Sequence, residues 1–81
     1  MPTIATVRGF RLFFYSEEGN PREPLHVHIE KQRGTAKYWI EPGIGLARSR
    51  NFSTAELTTI ESLVREYSDR IVRRWHEHFG D

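Results

Sequence analysis

The hydrophobic period of the chain changes at Phe52-Ser53, and that change divides what it can fold into. Up to Arg50 the apolar residues alternate with a period of two or run in short β-branched and aromatic blocks. From Ser53 onward they recur at three- and four-residue intervals. Thr3–Val7 is β-branched and meets a turn at Gly9. Phe10–Tyr15 is the most apolar run and reads as a central strand. Gly19-Asn20-Pro21 and Pro24 then mark a loop of about ten residues that begins with Glu17-Glu18. Leu25–Lys31 alternates, with Leu25, Val27 and Ile29 on one side and His26, His28 and Glu30 on the other. Gln32-Arg33-Gly34 reads as a tight turn and Thr35–Glu41 as the next strand. Pro42-Gly43-Ile44-Gly45 breaks it, and Leu46–Arg50 reads as an edge strand with Leu46, Arg48 and Arg50 on one side.

The second part predicts a helix. Ser53 and Glu56 make a Ser-x-x-Glu capping box, with Phe52 placed as the hydrophobic staple. Leu57, Ile60, Val64, Tyr67, Ile71 and Trp75 form one apolar stripe, and Gly80 is a natural terminator. The expected fold is therefore α+β: a four- to five-stranded, mostly antiparallel β-meander packed against one long C-terminal helix. One domain over residues 1–81 is expected, with the sheet in 1–52 and the helix in 53–80. A helix from Thr54 to Phe79 would run ~39 Å, against ~30 Å for a compact chain of this size. Either it breaks near Ser68-Asp69, or one end overhangs and packs on a companion protein or a second copy.

An 81-residue chain has room for one core. It has no cysteine, which excludes disulfides and thiolate metal sites. The N-terminal residues lack the basic stretch and apolar run of a signal peptide, and no apolar segment approaches the ~20 residues that span a bilayer. A cytoplasmic protein without membrane contact is the expectation. The net charge of +1 is uneven: residues 1–52 hold eight Lys/Arg and five Glu (+3), residues 53–81 four Arg and six acids (−2). That places a weak preference for acidic or phosphate-bearing partners on the sheet. Glu61–Arg65, Glu66–Arg70 and Asp69–Arg73, at i, i+4, account for most of the helical arginines as surface pairs.

The four histidines fall in two clusters. Residues i and i+2 of a strand share a face about 6.5–7 Å apart, so His26 and His28 can flank one phosphate. One imidazole would accept a proton and the other return it. They can equally share a divalent metal if a third ligand joins them, or simply line the wet face of the sheet. His76 and His78 cannot share a helix face; His78 falls within the Ile71–Trp75 stripe and His76 on the solvent side. Arg8, Arg11, Lys37, Arg48 and Arg50 lie on strands or turns, outside the helical i, i+4 pairs, and those sharing the histidine face could hold a phosphodiester. The candidate catalytic residues are His26 and His28; the candidate phosphate ligands are Arg11, Arg48 and Arg50. No cofactor motif and no complete catalytic motif is present.

Gly9-Phe10-Arg11, Phe13-Phe14-Tyr15-Ser16, Glu18, Pro24-Leu25-His26-Val27-His28, Glu41-Pro42, Leu46-Ala47-Arg48-Ser49-Arg50, Phe52, Glu56-Leu57 and Trp75-His76 stand in an order and spacing that covers nearly the whole chain. On these segments the chain resembles a small bacterial family, "domain of unknown function 4160". Members usually carry a second proline directly before the histidine pair, where this chain has Leu25; the change should loosen the loop and keep the pair. The resemblance implies a companion small protein, in a pairing of the toxin–antitoxin kind, and supplies no catalytic residues. The functional expectation is a toxin-like partner acting on RNA as a metal-independent ribonuclease. The alternatives are a non-catalytic interaction module that binds a companion or forms a dimer, and a small metal-binding protein.

Overall fold

Alternation becomes sheet wherever a turn brings the next strand back. The computed structural model describes residues 3–15 and 23–80, and the loop expected over Gly19-Asn20-Pro21 lies outside them. The strands are β1 (Thr3–Val7), β2 (Phe10–Phe13), β3 (His26–Lys31), β4 (Gly34–Trp39) and β5 (Gly45–Arg50). They pair antiparallel in the order β1-β2-β3-β4-β5, so each strand lies beside its neighbour in sequence. Gly9 turns β1 into β2 at φ 83°, a left-handed conformation that costs a glycine little.

Leu12, Val27, Ile29, Ala36 and Tyr38 bury one face of the sheet against Ile60, Leu63, Val64, Ile71 and Trp75 of the helical part. Tyr38 reaches through this core, and its hydroxyl donates to the Leu57 carbonyl at 3.2 Å. Burial, with the Glu61 carboxylate adding to it, raises the Tyr38 phenol above its ordinary 10.0. A group whose pKa is raised on folding contributes its stability in full below the unfolded value and loses it as pH climbs through the folded one. Urea melts between about pH 9 and 11 should therefore show stability falling with pH, and Tyr38→Phe should flatten that fall.

The helical part departs from expectation. In place of one long helix there are two, α1 (Thr54–Glu66) and α2 (Ser68–Phe79), separated at Tyr67 (φ −99°, ψ 8°). The break falls beside Ser68, where the length mismatch had allowed one. At the break the Ser68 hydroxyl donates to the Arg65 carbonyl at 3.0 Å, competing with backbone donors for the end of α1. Hydrogen bonds resume on either side, Tyr67 N–H to Leu63 O and Ile71 N–H to Tyr67 O, both 2.9 Å. With the helix divided, the overhang that argued for a partner is gone. Among the described residues neither Glu66–Arg70 nor Asp69–Arg73 forms an ion pair, and the Arg70 guanidinium lies 5.5 Å from the Tyr67 ring centroid. Glu61 and Arg65 do pair, at 3.2 Å on the exposed surface.

The capping box closes as the sequence predicts: Glu56 N–H donates to Ser53 Oγ at 3.1 Å, and Ser53 N–H to Glu56 Oε1 at 2.8 Å. Ser53→Ala should cost about 1 kcal/mol, measured by denaturant unfolding. At the other end Gly80 is left-handed and donates to His76 O at 2.9 Å.

Candidate functional site

The face of the sheet turned away from α1 carries the chemistry. Antiparallel pairing sets Phe13 opposite His28, His28 opposite Lys37, and Lys37 opposite Arg48, which makes one row across four strands. The next row holds Arg11, Glu30, Thr35 and Arg50. Directly paired residues share a face. The alternation read from Leu25–Lys31 is thus correct, and His26 and His28 do point to the same side, with ring centroids 5.1 Å apart.

What the alternation does not give is exposure. His26 is 0 % exposed and His28 only 6 %. The His26 ring lies 5.6 Å from Trp39, its neighbour across β3–β4, and 5.2 Å from Trp75 of α2. Trp75 also packs on Phe14, so at this end of β2 and β3 one indole touches residues of both alternation sets. His26 Nδ1 donates to the Pro24 carbonyl at 2.9 Å. The expectation of two solvent-facing imidazoles is therefore corrected: tertiary packing by α2 closes over His26.

His28 keeps access to a cleft of about 200 Å³, lined by Tyr15, Thr35, Lys37, Arg48 and Arg50 among others. Tyr15 stands at its lip with its ring 4.6 Å from His28. The cations of the cleft differ in availability. Lys37 is buried, paired with Glu23 at 2.8 Å and placed 4.5 Å over the Trp39 ring. Arg48 and Arg50 are exposed, and no acid among the described residues pairs with either. Two guanidinium groups with no acid paired to them among the described residues, beside a recessed imidazole, are an arrangement that can hold a phosphate-bearing ligand.

Arg11 is not part of it. It shares the face and the row of Arg50 but stands on β2, three strands away, which is about 14 Å at the usual spacing. Glu30 holds its Nε at 2.7 Å, Thr3 its Nη1 at 3.0 Å, and its guanidinium stacks 4.0 Å over Phe13. Arg8 lies in the β1–β2 turn. One further expectation needs correction. Leu46 does not share a side with Arg48, because a register shift between Lys37 and Tyr38 sets Leu46 opposite Tyr38 and Arg48 opposite Lys37. The resulting bulge at Ala47 leaves Arg48 and Arg50 on the cleft side.

His76 is exposed, as its helix position predicts. His78, expected either to pack in the apolar stripe or to serve the helix C-terminus, is exposed in the last turn of α2; it edges onto Phe79 and lines a separate hollow of about 250 Å³ with Ile4 and Phe14. Among the described residues no group of three or more His, Asp or Glu is placed to hold a metal ion. Tyr15 is a cleft residue that the sequence alone does not single out. Its position at the end of an aromatic strand, two residues beyond Phe13, was the available signal.

Among the described residues no helix is long and apolar enough to cross a membrane. No curated protein and no solved structure matches the chain. A family model matches residues 9–76, a stretch that contains every residue of the cleft, and by that match the chain belongs to the family described as Domain of unknown function (DUF4160).

Proposed function

We propose that the chain is the toxin-like member of a two-protein pair and acts on RNA in the cytoplasm through the cleft between His28, Arg48 and Arg50. The observation that carries this reading is the cross-strand arrangement: one imidazole, one buried ammonium and two guanidinium groups that no acid among the described residues pairs, on a single face. Arg48 and Arg50 hold the phosphodiester oxygens. His28 takes the proton of the ribose 2′-hydroxyl, whose oxygen attacks phosphorus to give a 2′,3′-cyclic phosphate. The departing 5′-oxygen takes a proton from Lys37, the ammonium beside His28 in the cleft. His26 does not touch substrate; packed between Trp39 and Trp75, it positions His28 from behind.

Purified protein should cleave bulk single-stranded RNA in EDTA and leave cyclic ends, and His28→Ala should lower the rate by about a hundredfold or more. Bound but intact RNA would remove the catalytic half of the reading; RNA neither bound nor cut would end it. The binding half has its own check in the salt dependence. Arg48→Gln and Arg50→Gln should each weaken RNA binding and reduce the log–log salt slope by about 0.7. In cells, regulated expression of wild type should arrest growth, and His28→Ala should not. The competing view, a non-catalytic interaction module, has lost the helix overhang and keeps the exposed β5 as its support.

A further inference from the structure

β5 is the last strand of the sheet, and among the described residues its outer edge pairs with no strand. Leu46 to Arg50 are all exposed, so both the side chains and one row of backbone N–H and C=O groups face outward. Such an edge is a template for another strand. What it selects is decided by charge. Arg48 and Arg50 stand on the same side with no acid among the described residues paired to them.

A second copy of this chain fits poorly. Antiparallel pairing of β5 with its own copy about a two-fold axis matches residues of the same face, and centring it on residues 48–50 sets guanidinium against guanidinium. Like charges directly opposite one another destabilise a strand pair. The same two arginines favour an incoming strand with carboxylates at alternate positions. The bulge at Ala47 confines regular pairing to the Arg48–Arg50 end.

We propose that the outer edge of β5 is a docking site for an extended acidic segment of a partner protein, which adds as a sixth strand with alternate carboxylates paired to Arg48 and Arg50. The main-chain hydrogen bonds supply attachment and the charge alternation supplies selection. This inference stands on the strand edge and holds whether or not the cleft acts on RNA.

The test uses full-length protein and a synthetic peptide that alternates glutamate with valine and threonine. Binding is followed by NMR, together with hydrogen exchange of the β5 amides. Expected are saturable binding, slowed exchange at the outward amides of β5, and about a tenfold loss of affinity when alternate peptide amides are N-methylated. Arg48→Gln/Arg50→Gln should weaken binding comparably, while the lysine-for-glutamate peptide should not bind. Binding that N-methylation leaves unchanged, or that protects no β5 amide, would overturn the proposal, as would absence of binding or equal binding of the lysine peptide. Both arginines are exposed, so the double variant should keep its unfolding midpoint, and loss of binding by a folded variant reads directly on the site.

Discussion

Gly34→Ala should destabilise the protein by about 1–3 kcal/mol, although alanine is the smallest side chain that could be added. A Cβ at Gly34 would stand 2.3, 2.6 and 2.7 Å from three ring atoms of Phe52. Real Cβ contacts do not approach so closely, so the Phe52 ring must move. It has little room to do so. Phe52 precedes the capping residue Ser53, and its ring packs against the core with its centroid 5.9 Å from that of Phe10. Moving it disturbs the entry into α1 and the β3–β4 turn together. Denaturant unfolding should show a lower midpoint with an unchanged slope. Shrinking the ring in the same background, Gly34→Ala with Phe52→Leu, should cost less than the two single changes added, because each relieves the other's strain. Additive losses would show that the ring is not what excludes the methyl group.

Trp75→Ala should have the larger effect, about 3–5 kcal/mol. The indole is 2 % exposed and touches Phe14 at 5.3 Å, His26 at 5.2 Å and Phe79 at 4.4 Å between ring centroids. It joins α2 to the ends of β2 and β3, and small domains have little stability to spare. The consequence reaches beyond stability. Without Trp75, His26 loses one of the two indoles that enclose it, and its ring N–H should exchange with solvent far faster in any variant that stays folded. Trp75→Phe should keep most of both properties. A loss below about 1 kcal/mol in the alanine variant would mean that α2 is held elsewhere.

These two sites mark the boundary of what the sequence discloses. Local patterns could be read directly: the alternation of Leu25–Lys31, the Ser53–Glu56 box and the Gly80 terminator each depend on residues a few positions apart. The helix break was half legible, because the length mismatch allows one as an alternative to an overhang, but Tyr67 itself is apolar and fits the stripe. The remaining errors concern contacts between residues distant in sequence. Nothing near His26 announces Trp75, and nothing near Arg11 announces that Glu30 will pair with it once β2 and β3 are in register. The bulge at Ala47 is equally silent, since Leu46-Ala47-Arg48 reads as ordinary alternation until its partner strand is known. Of the candidate site residues, His28, Arg48 and Arg50 come together in the cleft, His26 is sealed behind it, and Arg11 is engaged elsewhere.

The acidic strand proposed for β5 and the RNA phosphate proposed for the cleft draw on the same two guanidinium groups. A protein holding one should therefore bind the other more weakly, a reciprocity that linkage requires. Isothermal titration of RNA into protein saturated with the glutamate peptide would measure it.

The central claim is that His28, and no other histidine, stands where an RNA phosphate binds. Histidine-labelled protein titrated with a short single-stranded RNA reports each imidazole separately by NMR. The His28 ring signals should move to saturation, His76 and His78 should stay in place, and Arg48→Gln/Arg50→Gln should abolish the movement. Shifts confined to His76 or His78, or a silent His28 at saturating RNA, would contradict it.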